Sequence, residues 1–260
     1  MKYFLEHNNK KYSDINLIKA FENLGIKKGD ILCVHTELFN FGIPLLKKNE
    51  FLQTIIDCFF EAIGKEGTLI MPTFTYSFCK NEVYDKLNSY TKIGALNEYF
   101  RKCEGVKRTN DPIFSFAIKG AKQDLFLKDT KSCFGENCVY DILWKNNGKY
   151  MLFGSYTGHT FTHYVEEEYK VEYRYFKNFS GILIDENGKQ NNKNINFYVR
   201  HIDKFSLPNV DNINTITRKT SSFKSEIFAG AQICVFNTKE YKQAIIDALN
   251  KDKNILILQE

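Results

Sequence analysis

The chain has 260 residues, enough for one large domain or at most two small ones, and 43% hydrophobic with 26% charged residues is an ordinary globular balance. The net charge of +5 comes from dispersed lysine, with arginine only at positions 101, 108, 174, 200 and 218. No basic stripe interleaved with aromatics is present, which argues against a nucleic-acid partner, and no apolar run is long enough for a membrane span.

In chain order, Ser13 caps a predicted helix whose Leu17, Ile18, Phe21 and Leu24 share a face, with Gly25 ending it. Ile31–His35 reads as a short buried strand. Asn49 opens a second helix with Phe51, Ile55, Phe59 and Ala62 on one face and Gly64 past its end, and Thr68–Pro72 is the next strand. Gly94–Cys103 reads as helix, while Phe114, Phe116 and Ile118 alternate as a strand. Tyr150–Phe153 and Gln232–Phe236 supply further strands, and Lys239–Asn250 a closing helix. Gly181–Asp185 and Asn196–Ile202 read as an antiparallel hairpin with a long polar turn. Strand and helix alternate with short connections and no linker divides them. A single α/β domain over residues 1–260 is therefore expected, its mostly parallel central sheet covered by helices on both faces and extended by the hairpin.

The start, Met1-Lys-Tyr-Phe-Leu-Glu-His-Asn-Asn, lacks the apolar core of a signal peptide. Seven cysteines without framework spacing fit reduced thiols, so a cytoplasmic location is expected. Cys133 and Cys138 have no histidine between them, which disfavours zinc there. No phosphate loop, dinucleotide fingerprint or Gly-x-Ser-x-Gly elbow occurs.

The most informative stretch is Gly154-Ser-Tyr-Thr-Gly-His-Thr-Phe-Thr-His-Tyr-Val-Glu166. A buried strand ends in glycine and a polar turn leads into a helix start. There His163 and Glu166, at i and i+3, share one face. A carboxylate so placed orients the ring and supports its protonated form, as a general base requires. The same spacing also fits a helix-capping segment with a solvent-facing ion pair. His159 and His163, four apart, with Glu166 or Glu167 as third ligand, allow a metal site and hence a metal-dependent amidohydrolase.

This stretch, with Gly29-Asp-Ile-Leu-Cys-Val-His-Thr36, Gly67-Thr-Leu-Ile-Met-Pro-Thr-Phe-Thr75 and Arg108-Thr-Asn-Asp-Pro-Ile-Phe-Ser-Phe116, resembles the aminoglycoside 3-N-acetyltransferase family. The four blocks keep the family's order between about residues 17 and 175. The resemblance implies that family's three-layer α/β/α sandwich, a single acyl-CoA-dependent N-acetyltransferase domain, and no cofactor beyond acetyl-CoA as co-substrate, with no bound metal. It implies His163 as general base with Glu166 supporting it, and His35, Thr36, Thr73, Phe74, Thr75, Arg108 and Ser115 at the acyl-CoA site. Thr36 stands for the family's first serine and Glu37 for its second. Asp111 replaces a histidine, and His159 a family asparagine; with Glu37 and Arg174 these are the acceptor-binding candidates.

The reaction expected is acetyl transfer from acetyl-CoA to a primary amine of an amino sugar. The acceptor favoured is a nucleotide-linked amino-deoxy sugar for surface glycan synthesis, its pyrophosphate held by Arg108 and Arg174. The alternative is an aminoglycoside antibiotic held by carboxylates such as Glu37 and Asp111, conferring resistance. As protein partner the sequence allows at most a second copy in a homodimer.

Overall fold

The structure is a computed structural model that describes residues 1–155, 159–202 and 206–258. Its strands are β1 (Tyr3–His7), β2 (Lys10–Ser13), β3 (Ile31–Thr36), β4 (Ile43–Pro44), β5 (Thr68–Pro72), β6 (Tyr84–Asp85), β7 (Lys107–Arg108), β8 (Phe116–Gly120), β9 (Lys149–Phe153), β10 (Arg174–Ile184), β11 (Gln190–Arg200), β12 (Lys224–Phe228) and β13 (Ala231–Asn237). The helices are α1 (Asp14–Asn23), α2 (Lys48–Ile63), α3 (Ala95–Phe100), α4 (Val139–Lys145), α5 (Phe161–Tyr169), α6 (Val210–Arg218) and α7 (Thr238–Lys251).

The central strands are apolar on both faces, so both faces must be covered. Odd and even residues sort cleanly. Cys33, Ile70, Tyr150, Leu152, Cys234 and Phe236 enter one core with Tyr140 and Leu143 of α4, Phe161 and Val165 of α5 and Tyr241 and Ile245 of α7. Val34, Leu69, Met71, Met151, Phe153 and Ile233 enter the other with Phe21 of α1, Phe59 of α2 and Phe100 of α3. That is an α/β/α sandwich.

The central sheet runs β12-β13-β9-β3-β5-β8-β7 and is mixed. β9, β3 and β5 are parallel neighbours, and antiparallel pairs extend the sheet on each side. The mostly parallel expectation thus describes the centre of the sheet, where α2 forms the crossover from β3 to β5. The flanks turn antiparallel because β8 and β13 return beside β5 and β9.

Local signals explain the frame. Ser13 caps α1, accepting from the Asn16 amide while the Asn16 side chain accepts from the Ser13 amide, and Gly25 follows in the left-handed region at φ +82°. Helix α2 begins one residue before the predicted Asn49, at Lys48, without a side-chain cap. The hairpin is longer and its turn tighter than expected. β10 and β11 pair from Arg174↔Arg200 to Ile184↔Gln190, so the polar residues Gln190–Lys193 lie in a strand. They extend the ladder at the hairpin's outer end, where strand pairing does not require apolar side chains.

Candidate active site

The parallel strands β3, β5 and β9 end together, where open α/β sheets place ligands. A cleft of about 910 Å³ opens at that edge, lined among others by His35, Thr36, Glu37, Phe74, Asn97 and Thr160. His35, next to last in β3, lies between Tyr150 and Phe74, with ring centroids 5.2 and 6.0 Å away. Burial pushes its pKa down to about 3, and its Nε2 is buried with no hydrogen-bond partner. The ring is therefore neutral and holds an uncommitted polar atom in the cleft wall. The Thr36 hydroxyl donates to Asn97 Oδ1 at 2.5 Å, and Asn97 Nδ2 donates to the Pro72 carbonyl at 2.7 Å. Asn97, fully buried on the short helix α3, ties β3 to β5 at the cleft floor. The exposed Glu37 and Lys48 stand in the same cleft.

The remaining acyl-CoA candidates are turned inward, except Phe74. Thr73 is fully buried: its Oγ1 lies 3.1 Å from Ser115 Oγ, and Ser115 Oγ donates to the Thr73 carbonyl at 2.6 Å. Thr75 Oγ1 donates to the Pro112 carbonyl at 2.9 Å and its amide is bonded to Ile113. Phe74 faces the cleft and packs edge-on against Phe114 and Phe116. Arg108 is buried, bonding Thr73 Oγ1, the Thr73 carbonyl and the Lys86 and Ser89 carbonyls, with its guanidinium 5.2 Å from the Tyr84 ring. Four donated bonds leave no fork for a pyrophosphate. These bonds make Arg108 a brace between the β5 end and the loop before α3.

Asp111 is likewise turned inward. Its Oδ1 accepts the amides of Ile113 and Phe114, both at 2.8 Å, folding the turn before β8. Burial pushes its carboxyl up, against those amides and the Cys133 thiol. It does not line the cleft.

His163 and Glu166 come together as expected. Helix α5 places both on one face, with His163 Nδ1 2.6 Å from Glu166 Oε2. His163 is half-buried, its ring edge-on to Phe134 at 5.4 Å, and Glu166 is buried. This is no solvent-facing pair. Tyr173 donates to Glu166 Oε1 at 3.0 Å, and Arg174 Nε lies 2.9 Å from Glu166 Oε2. Against the burial penalty, His163, Arg174 and Tyr173 hold the Glu166 carboxyl below its ordinary value. Burial and the Arg174 charge, opposed by Glu166, hold the His163 ring below its ordinary value. At neutral pH the pair is thus carboxylate and neutral imidazole.

Arg174 is itself buried, and Nη1 also donates to the Tyr198 carbonyl at 3.1 Å. The second arginine expected to take a pyrophosphate is therefore committed within the protein. His159 is buried against Tyr150, Phe236 and Tyr241, its pKa pushed down to about 3 by burial, with Nδ1 unpartnered. Neither His159 nor His163 is among the residues lining the cleft, whereas Thr160 between them is. Among the described residues no group of three or more His, Cys, Asp or Glu is placed to hold a metal. Residues 156–158 of the strand-to-helix turn lie outside the described residues. Sequence reasoning missed Asn97 and Phe134; neither sits in a motif, and only the fold brings them to the site.

A hollow of about 320 Å³ borders the Phe134 ring on this side of α5, lined by Glu136, Asp141, Glu167, Glu168 and Lys170. Among the described residues no helix is long and apolar enough to cross a membrane.

The family model for aminoglycoside 3-N-acetyltransferase matches residues 33–250. The solved structure of AAC-VIa bound to sisomicin superimposes with a TM-score of 0.77 at 19% identity, over 92% of this chain and 98% of that one. AAC-IIIb in a binary complex with CoASH gives 0.76 at 18%, over 92% and 97%. The YokD protein from Bacillus subtilis gives 0.77 at 18%, over 93% and 94%. At these identities the three likenesses speak for the fold, while the family match spans most of the sequence and both halves of the site. The chain belongs to the aminoglycoside 3-N-acetyltransferase family, whose members are N-acetyltransferases.

Proposed function

We propose that this protein transfers an acetyl group from acetyl-CoA to a primary amine of an amino sugar, with His163 as general base. The observation that carries the reading is the buried Glu166 carboxylate 2.6 Å from His163 Nδ1 at the head of α5, one turn after the cleft residue Thr160. The amine nitrogen attacks the thioester carbonyl while His163 Nε2 takes its proton. The carbon–sulfur bond then breaks and the thiolate leaves, protonated, as free CoA. The cleft suits the co-substrate: it is largely apolar, and His35 Nε2 offers a buried polar atom without a partner. A relative with CoASH bound supports the same donor.

The acceptor is a cationic sugar with several amines. Both arginines that would have held a pyrophosphate are spent inside the protein. Four carboxylates and one lysine line the hollow beside Phe134, whose ring contacts His163; Asp141, Glu167 and Glu168 are bonded to Lys145, Ser132 and Lys242, and Glu136 is exposed. Sisomicin, the ligand of one relative, is of this chemical kind. Purified protein is tested for CoA thiol release with acetyl-CoA against aminoglycosides and nucleotide-linked amino sugars. Release with the aminoglycosides is expected. Release confined to the nucleotide sugars overturns the acceptor class, and no release with any amine overturns the acetyltransfer reading.

A further inference from the structure

Arg174 opens β10, five residues beyond the end of α5, where Lys170 in the left-handed region at φ +62° turns the chain back toward the helix. Its guanidinium meets three partners: Nε is 2.9 Å from Glu166 Oε2, an ion-pair contact without hydrogen-bond geometry, Nη2 is 2.9 Å from His163 Nδ1, and Nη1 donates to the Tyr198 carbonyl on β11. Side-chain exposures of 5% for Arg174 and 4% for Glu166 keep water from screening this group. One atom, His163 Nδ1, is thus claimed by two neighbours of opposite demand. The Glu166 carboxylate only accepts, and the Arg174 guanidinium only donates. The shorter contact, 2.6 Å, is to the carboxylate, so Nδ1 carries the hydrogen and Nε2 keeps its lone pair. The guanidinium then faces a nitrogen that already bears hydrogen, and its charge opposes any further proton on the ring.

We propose that Arg174 is a positioning residue for the acyl transfer, its charge holding the Glu166 carboxylate against His163 so that the ring enters the reaction as the neutral Nδ1–H tautomer with Nε2 free. Arg174 contacts neither the cleft nor the reacting atoms. It acts through Glu166, and Tyr173 fixes that carboxylate's other oxygen at 3.0 Å. The groups facing the ring are Glu166 from α5, Arg174 from β10, the apolar Phe134 from the loop before α4, and the more distant His159 before α5. Of these only Arg174 brings a fixed positive charge. The depressed proton affinity of His163, caused by burial and then by Arg174, agrees with this geometry. The inference rests on His163 as base, but its test does not need turnover.

The test follows the His163 ring by nitrogen and proton NMR in the full chain without ligand, across pH, in wild type, Arg174→Gln and Arg174→Lys. The pH profile of CoA release is measured in parallel. Arg174→Gln is expected to raise the His163 pKa by about one unit, the size that one nearby charge imposes, and to move the acidic limb of the rate profile with it. Arg174→Lys keeps the charge but loses the fork. It is expected to hold the pKa near wild type, populate both tautomers and lower kcat several-fold with KM for acetyl-CoA unchanged. An unmoved titration in Arg174→Gln overturns the proposal. Should that variant not fold, a lysine variant with wild-type tautomer and kcat overturns it. Full turnover in His163→Ala would instead sink the base reading, and the NMR titration still decides the part played by Arg174.

Discussion

At the scale of single residues, the chemistry rests on a histidine kept neutral and a carboxylate kept charged within 2.6 Å of each other. The sign of the pH dependence follows. His163 binds its proton less readily than a free imidazole, because of burial and Arg174. The active, unprotonated form therefore persists below the ordinary histidine value of about 6.5. The acidic limb of kcat/KM is expected below that value. Glu166→Gln removes the group that favours ring protonation, so the limb should move lower still, with kcat reduced on the order of 10²-fold. A limb above about 7 in wild type, or an upward move in Glu166→Gln, contradicts the assignment. Steady-state rates at saturating acetyl-CoA from pH 4.5 to 8.5 provide the check. The i, i+3 spacing made this pair legible in the sequence. The same arithmetic could not assign Arg174: its scarcity marked it, but nothing in the sequence showed that strand β10 turns it onto Glu166 and not toward a ligand. Arg108 misled for the same reason, since a motif arginine reads alike whether it faces a phosphate or four oxygens of its own chain.

At the scale of elements, the site depends on how β9 ends. Gly154 sits at φ +91°, and a Cβ there would lie 2.2 Å from the Glu37 carbonyl oxygen and 2.6 Å from Phe41. Asn40 Nδ2 donates to its carbonyl at 2.6 Å, so the loop after β3 is stitched to the end of β9 through this glycine. Gly154→Ala combines a left-handed strain with a backbone clash, each worth about 1–3 kcal/mol. A fall in Tm of roughly 4–24 °C is expected for a chain of this size, read by differential scanning calorimetry. A fall under about 1 °C contradicts the packing described. The buried strands β3, β5 and β9 were legible because their apolar runs are bounded by glycine and proline. Helix α4 was not read from the sequence, although Val139, Tyr140, Ile142 and Leu143 pack in the core, because its seven residues barely complete two turns. The outer part of β11 was read as turn because Gln190, Asn191, Asn192 and Lys193 carry no apolar signal, and pairing with β10 places them in strand regardless.

At the scale of the whole molecule, the two cores press the sheet between helical layers and strand two histidines in apolar surroundings. His159 has its pKa pushed down to about 3 by burial. A folded pKa below the unfolded one means stability is intact above about pH 6.5 and is lost as pH falls toward 3, at up to ~1.4 kcal/mol per pH unit. His159→Asn removes that titration. Its unfolding free energy in urea is expected to fall less steeply between pH 6.5 and 5 than that of wild type. Equal slopes contradict the burial of a neutral ring. Buried carboxyls pushed up, Asp111 and Glu167, act in the opposite sense and are common to both proteins, so the comparison isolates His159. The same layered frame brings β3, α3 and α5 to one edge, and with them the cleft and the base. The central claim, acetyl transfer with His163 as base, is tested most directly by His163→Ala at saturating acetyl-CoA and a reactive aminoglycoside. Expected is a loss of CoA release of about 10²–10⁴-fold, while acetyl-CoA still raises the variant's Tm as it does for wild type. Near-normal CoA release by His163→Ala would contradict it.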